Sequence, residues 1–98
     1  MGHPGSVHRT DGCVALHVYV SAVIRERRAA LGITQGELAE RLGSHRPIVA
    51  RVESGRHEVT LRVLEEYAAA LGCTCAELVS GAEALRAMDL AERGAAHG

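Results

Sequence analysis

The 98-residue sequence has no lysine, no tryptophan and no phenylalanine, and only two tyrosines. Without rings to fill volume, the core must be packed by Leu, Val, Ile and Ala at regular spacing. Every permanent side-chain cation is a guanidinium, planar and able to grip phosphate or guanine in a bidentate way. No run is long or apolar enough to span a bilayer, so no membrane partner is expected. The first residues lack the charged start, apolar stretch and cleavage site of a secretion signal. Three cysteines are an odd number for a disulfide framework, so reduced thiols and a cytoplasmic location are expected. A net charge of −1 argues against a general polyanion binder, which would be strongly basic. The length leaves no room for a second core of ordinary size. A chain this short is expected to be modestly stable unless it dimerises.

What is present is unevenly spread. Residues 1–62 hold nine arginines against six acids, and residues 63–98 hold two against six. The first part is therefore basic and the last third acidic.

Organisation follows from glycines, caps and apolar spacing. The Gly-, Pro-, Ser- and His-rich start has no apolar period, and residues 1–16 are expected to form a tail. Residues 13–20 are ambiguous. Val14, Leu16, Val18 and Val20 alternate as in a strand, while Leu16, Val20, Val23, Ile24, Arg27 and Leu31 follow a helical stripe. The preferred reading is a helix from about His17 to Leu31, with a short strand at 13–19 as the alternative. Thr34 with Glu37 makes a capping box that opens a helix ending at Gly43. A short helix follows from about Arg46, with Pro47 in its first turn, where a missing N–H costs little. Thr60 caps the next helix, with Leu61, Leu64, Tyr67, Ala68 and Leu71 on one face. Thr74 caps a fifth, broken at Gly81, and good helix formers continue over 82–93 before a frayed end. The expected fold is all-α: a compact five-helix domain over 17–80, and an additional C-terminal helix within 81–98 that could serve dimerisation.

Two short helices joined by the Gly43-Ser44-His45 turn have the helix-turn-helix layout. Gly43 permits the reversal, and Leu38, Leu42, Val49 and Val52 lock the pair. The outer side of the second helix is then free to enter a major groove, which admits one helix.

The stretch IRERRAALGITQGELAERLGSHRPIVARVESGRHEVTLRVLEEYAAALGCTCAEL, residues 24–78, resembles the phage repressor and Cro-like (XRE) helix-turn-helix family. The matching signals are Arg28 before LGITQ, Gln35 opening helix 2, LAERLG, Glu53 with Gly55, and ALG followed by Thr74. The resemblance implies a lambda-repressor-like DNA-binding domain of a transcriptional regulator with no cofactor. It also implies roles. Arg46 and Arg51, with Pro47 between them, match base-facing positions of the recognition helix. His45, Gln35, Arg56 and His57 match positions on the DNA backbone. Arg28 and Glu53 match a structural ion pair.

The sequence departs from that pattern. Pro47, Ile48 and Ala50 replace residues that are often polar, which leaves base reading to Arg46 and Arg51 above all. A homodimer on a palindromic operator of double-stranded DNA is the reading that offsets this shortage, with 13–20 and 82–93 as the two candidate contact surfaces. The alternative is a protein-interaction module, such as an antitoxin with a protein partner, that keeps the fold and binds DNA weakly. Cys73 and Cys75 form a CxC, read as small core hydrophobes, with thiol sensing or metal binding as the sharper alternative. No metal site, nucleophile–base pair or phosphate loop suggests an enzyme.

Overall fold

A computed structural model describes residues 15–97. Five helices follow in order: α1 Leu16–Ala30, α2 Gln35–Leu42, α3 Arg46–Glu53, α4 Leu61–Leu71 and α5 Cys75–His97. There is no strand among the described residues. From Leu16 onward the ambiguous segment is helical, because its 3.6-residue stripe finds a core to bury. Tyr19, Val20, Val23 and Ile24 all face inward. The stripe stops there, and Leu31, expected to continue it, is exposed. Cys13 and Val14 lie outside the described residues, as does most of the expected tail.

The caps are local and form where their residue types require. Thr34 Oγ1 accepts from Glu37 N at 3.0 Å while Glu37 Oε1 accepts from Thr34 N at 2.7 Å. Thr74 and Glu77 repeat this box at α5, at 3.0 and 2.9 Å. Those hydrogen bonds hold the Glu77 carboxyl below its ordinary pKa. At α4, Thr60 Oγ1 accepts from Val63 N at 3.1 Å. Each pair satisfies N–H groups that the first helical turn would otherwise leave unpaired.

The core is aliphatic with two tyrosines. Ile24, Leu38, Val49, Leu78 and Ala82 are fully buried, and Tyr67, Leu64, Ala68 and Leu71 close around them. Leu61, expected on this inner face, is the first residue of α4 and is 78% exposed. At the C-terminal end, Tyr19 donates its hydroxyl to Asp89, which also pairs with Arg93 one turn on at 3.2 Å. The Tyr19–Asp89 bond links the second half of α5 to α1.

Gly81 does not break α5, contrary to the sequence expectation. The helix runs through it, so the additional C-terminal helix is the second half of α5. The reason lies in the packing. A Cβ built at Gly81 would meet Val23 Cγ1 at 3.4 Å and Cγ2 at 3.6 Å. The α1–α5 contact thus leaves room for one methyl group and no more, and the neighbouring helix overrides glycine's weak propensity.

Gly81→Ala is therefore expected to stabilise the protein by about 0.5–1 kcal/mol, through reduced unfolded-state freedom. Gly81→Leu is expected to destabilise it by overpacking. Chemical unfolding of the three proteins checks both signs.

Candidate nucleic-acid interface

The α2–α3 corner is built by its turn. Gly43 adopts φ +66°, a left-handed conformation that L side chains rarely take. This lets Ser44 N donate back to Ala39 O at 2.9 Å and closes the end of α2. His45 is extended at φ −127° and precedes α3, where its carbonyl accepts from Ile48 N at 3.0 Å. Pro47 sits in the first turn of α3. The corner is locked by Leu38 and Val49, both fully buried, with Leu42 and Val52 packed against them.

With Val49 and Glu53 turned inward, the other arc of α3 faces out. His45, Arg46, Pro47, Ile48 and Arg51 are all exposed, and Ala50 is half-buried. The guanidinium groups of Arg46 and Arg51 make no hydrogen bond or ion pair with another described residue. Arg56 and His57, in the loop after α3, are also exposed. That loop is set by Ser54, whose hydroxyl donates to Arg51 O at 2.6 Å and accepts from Arg56 N at 3.2 Å. Gly55, at φ +75°, passes close to Val18 and Ser21 of α1, with Val18 Cγ1 at 3.6 Å from a built Cβ.

Behind this surface lies a buried carboxylate. Glu53 is 3% exposed. Arg28 Nε donates to its Oε2 at 2.6 Å, and Arg28 Nη2 donates to its Oε1 at 3.0 Å. The bond to Glu53 raises the Arg28 pKa, so the cation is permanent. Three further contacts were not foreseen. Arg25 Nη1 donates to Glu53 O at 2.9 Å, Arg28 Nη1 to Ile33 O at 2.8 Å, and Gln35 Nε2 to Glu53 Oε1 at 3.0 Å. The i, i+3 spacing of Arg25 and Arg28 on one face of α1 was the available signal for the first.

Gln35, expected to face the DNA backbone, carries the bond to Glu53 Oε1 in the structure. Its amide is turned inward onto Glu53 rather than out toward a phosphate. What α2 presents at that end is backbone. The first in-helix bond is Leu38 N to Thr34 O at 3.0 Å, and Thr34 Oγ1 takes Glu37 N. The N–H groups of Gln35 and Gly36 precede both, at the positive end of the helix dipole.

Tyr67 lies beside this network. Burial, followed by the negative charges of Glu53 and Glu66, pushes its hydroxyl up to about 12. Tyr19 is raised as well, first by its hydrogen bond to Asp89. Cys73 and Cys75 are half-buried against the core, and burial raises the Cys73 thiol. No group of three metal-ligating side chains occurs among the described residues. No single described helix is long and apolar enough to cross a membrane.

Residues 24–78 match a family model described as helix-turn-helix. An uncharacterized HTH-type transcriptional regulator of Methanothermobacter thermautotrophicus is 46% identical over 50 residues, which is 51% of this chain and 72% of that protein. The crystal structure of the clp gene regulator ClgR from Corynebacterium glutamicum superposes with a TM-score of 0.80 at 30% identity, covering 86% of this chain and 89% of that one. A hypothetical transcription factor from Neisseria, NHTF, superposes at 0.62 with 34% identity, over 66% of this chain and 75% of its own.

Removing Arg28 would leave Glu53 buried with its main counter-charge gone. Such breaks cost about 3–5 kcal/mol, a large part of the roughly 5–15 kcal/mol that holds a domain together. Arg28→Ala is expected to lose its cooperative thermal transition or to melt far below wild type. A melting curve within a few degrees of wild type would show that the pair is dispensable. The tyrosines give a pH dependence. The folded state keeps phenol protons that the unfolded chain releases at an ordinary pKa of 10.0. Their contribution is complete below that pH and is lost as pH rises through it toward about 12. The denaturation midpoint is expected to fall over this window, with less tyrosinate absorbance near pH 10 than the unfolded chain shows while the helices persist. Ordinary phenol titration in the folded protein would contradict it.

Proposed function

The chain belongs to the XRE-type helix-turn-helix family and is a DNA-binding transcriptional regulator, and from that premise we propose that α3 lies in the major groove as half of a homodimer on a palindromic operator. The observation that carries this reading is the outer arc of α3, where Arg46 and Arg51 stand exposed with no partner among the described residues while Val49 and Glu53 anchor the opposite arc. An arginine in the groove grips guanine O6 and N7 together, which is worth ~1–3 kcal/mol of discrimination. Pro47, without a hydrogen-bonding group, contributes shape. His45, Arg56 and His57 lie along the phosphates. At the start of α2 the backbone N–H groups of Gln35 and Gly36 meet a phosphate, and the Gln35 side chain positions α2 on Glu53 instead of binding DNA itself.

Two base-reading arginines are few for one operator. A second protomer doubles them, with half-sites ~34–36 Å apart. The two segments proposed as dimer surfaces come together in this fold. Val18, Tyr19 and Ala22 of α1 line one groove with Leu85 and Met88 of α5. Met88 is 61% exposed there. This α1–α5 groove is the homodimer contact in our reading, and the protein acts in the cytoplasm, where its DNA is.

Selection of duplexes from a random pool by the purified full chain, beside Arg46→Ala and Arg51→Ala, tests the reading. Wild type is expected to enrich a palindrome containing guanine in each half. Each variant is expected to bind that duplex about 5- to 150-fold more weakly, the equivalent of ~1–3 kcal/mol. Enrichment of a single half-site would overturn the dimer. No enrichment by wild type would overturn base reading and leave the fold to a protein partner.

A further inference from the structure

We propose that Ile48 is a specificity-determining residue that reads the C5-methyl group of a thymine beside the guanine held by Arg51; this rests on the placement of α3 in the major groove. Ile48 is 42% exposed, although its neighbour Val49 is fully buried. It is absent from the core cluster and from the partly buried residues packed against it. The other large exposed apolar residues, Leu31, Leu61 and Met88, lie outside α3. Ile48 is thus the large apolar side chain on the arc that also carries both arginines.

Helical spacing fixes its neighbours. Residues three and four apart share a face, so Arg51 stands over Ile48 on one side and Pro47 on the other. A guanidinium at that position is bordered by two side chains that neither donate nor accept hydrogen bonds. Ala50 adds no polar group. The major-groove edge of every base, thymine's O4 included, carries a donor or acceptor that an isoleucine would strip of water without replacing the bond. Thymine alone offers a methyl group there. The same side chain therefore favours thymine by contact with its methyl group, while the other bases lose hydration there without that compensating contact. This supplies sequence reading at a base pair where the hydrogen-bonding inventory of α3 has nothing to offer.

The test uses the duplex enriched by wild type, with each thymine replaced in turn by deoxyuridine, which removes only the methyl group. Binding of the full-length wild type and Ile48→Ala is measured at one salt concentration, with helicity checked for both. One thymine next to the Arg51-dependent guanine is expected to lose roughly fourfold in affinity on losing its methyl in wild type, the value of one buried carbon. Ile48→Ala is expected to bind the thymine and deoxyuridine duplexes equally. If Ile48→Ala binds too weakly for comparison, Ile48→Val carries the same measurement, with discrimination reduced but present. Indifference of wild type to every deoxyuridine, or an unchanged methyl effect in the variants, would overturn the role of Ile48 while leaving DNA reading intact. If no duplex is enriched at all, the placement of α3 fails first and this inference falls with it.

Discussion

Glu53 puts a negative charge inside a small aliphatic domain, where an unpaired carboxylate would be prohibitively costly. Its two oxygens accept from Arg28 Nε and Nη2 and from the Gln35 amide, and its own carbonyl accepts from Arg25. Those donors come from α1 and from the first residue of α2, while the acceptor closes α3. One buried group therefore ties together the three helices whose relative angle decides where the outer arc of α3 points. Hydrophobic contact through Leu38 and Val49 supplies the cohesion, but contact of that kind is non-directional. The bidentate guanidinium–carboxylate pair adds orientation, since both nitrogens must meet both oxygens at once.

That rigidity matters because the reading surface is sparse. With Pro47, Ile48 and Ala50 at its centre, α3 has two long cationic side chains to place against base edges. The absence of lysine makes both of them guanidiniums, for which bidentate geometry, and hence helix placement, counts more than for a point charge. The acidic last third of the chain forms most of α4 and all of α5, while α3 and the loop after it come from the basic part. A net charge near zero is thus compatible with a DNA-facing surface, because the sign is segregated along the fold.

Much of this was legible in the sequence where the determinants are local. Thr34 with Glu37, Thr60, and Thr74 with Glu77 announce helix starts within four residues, and Gly43 announces the turn. The buried faces of α2 and α3 follow from spacing alone. Other features were less legible. The start of α1 fits two periods, and the helical one preferred from the sequence is the one its core buries. Gly81 reads as a stop because isolated glycine weakens a helix, yet Val23 across the contact holds it in one. The inward turn of Gln35 depends on Glu53, 18 residues away in sequence, so only the assembled corner shows it. Exposure of Ile48 was equally open, since a branched aliphatic at its position can face core or groove.

The central claim is that the outer arc of α3, with the α2 terminus and the loop after α3, meets DNA. The most direct measurement is an amide chemical-shift titration of the isotope-labelled full chain with the enriched duplex. Perturbations are expected to concentrate at Gln35 and Gly36, from His45 to Arg51, and at Arg56 and His57. Shifts confined to α4 and the second half of α5, with α3 unmoved, would contradict it.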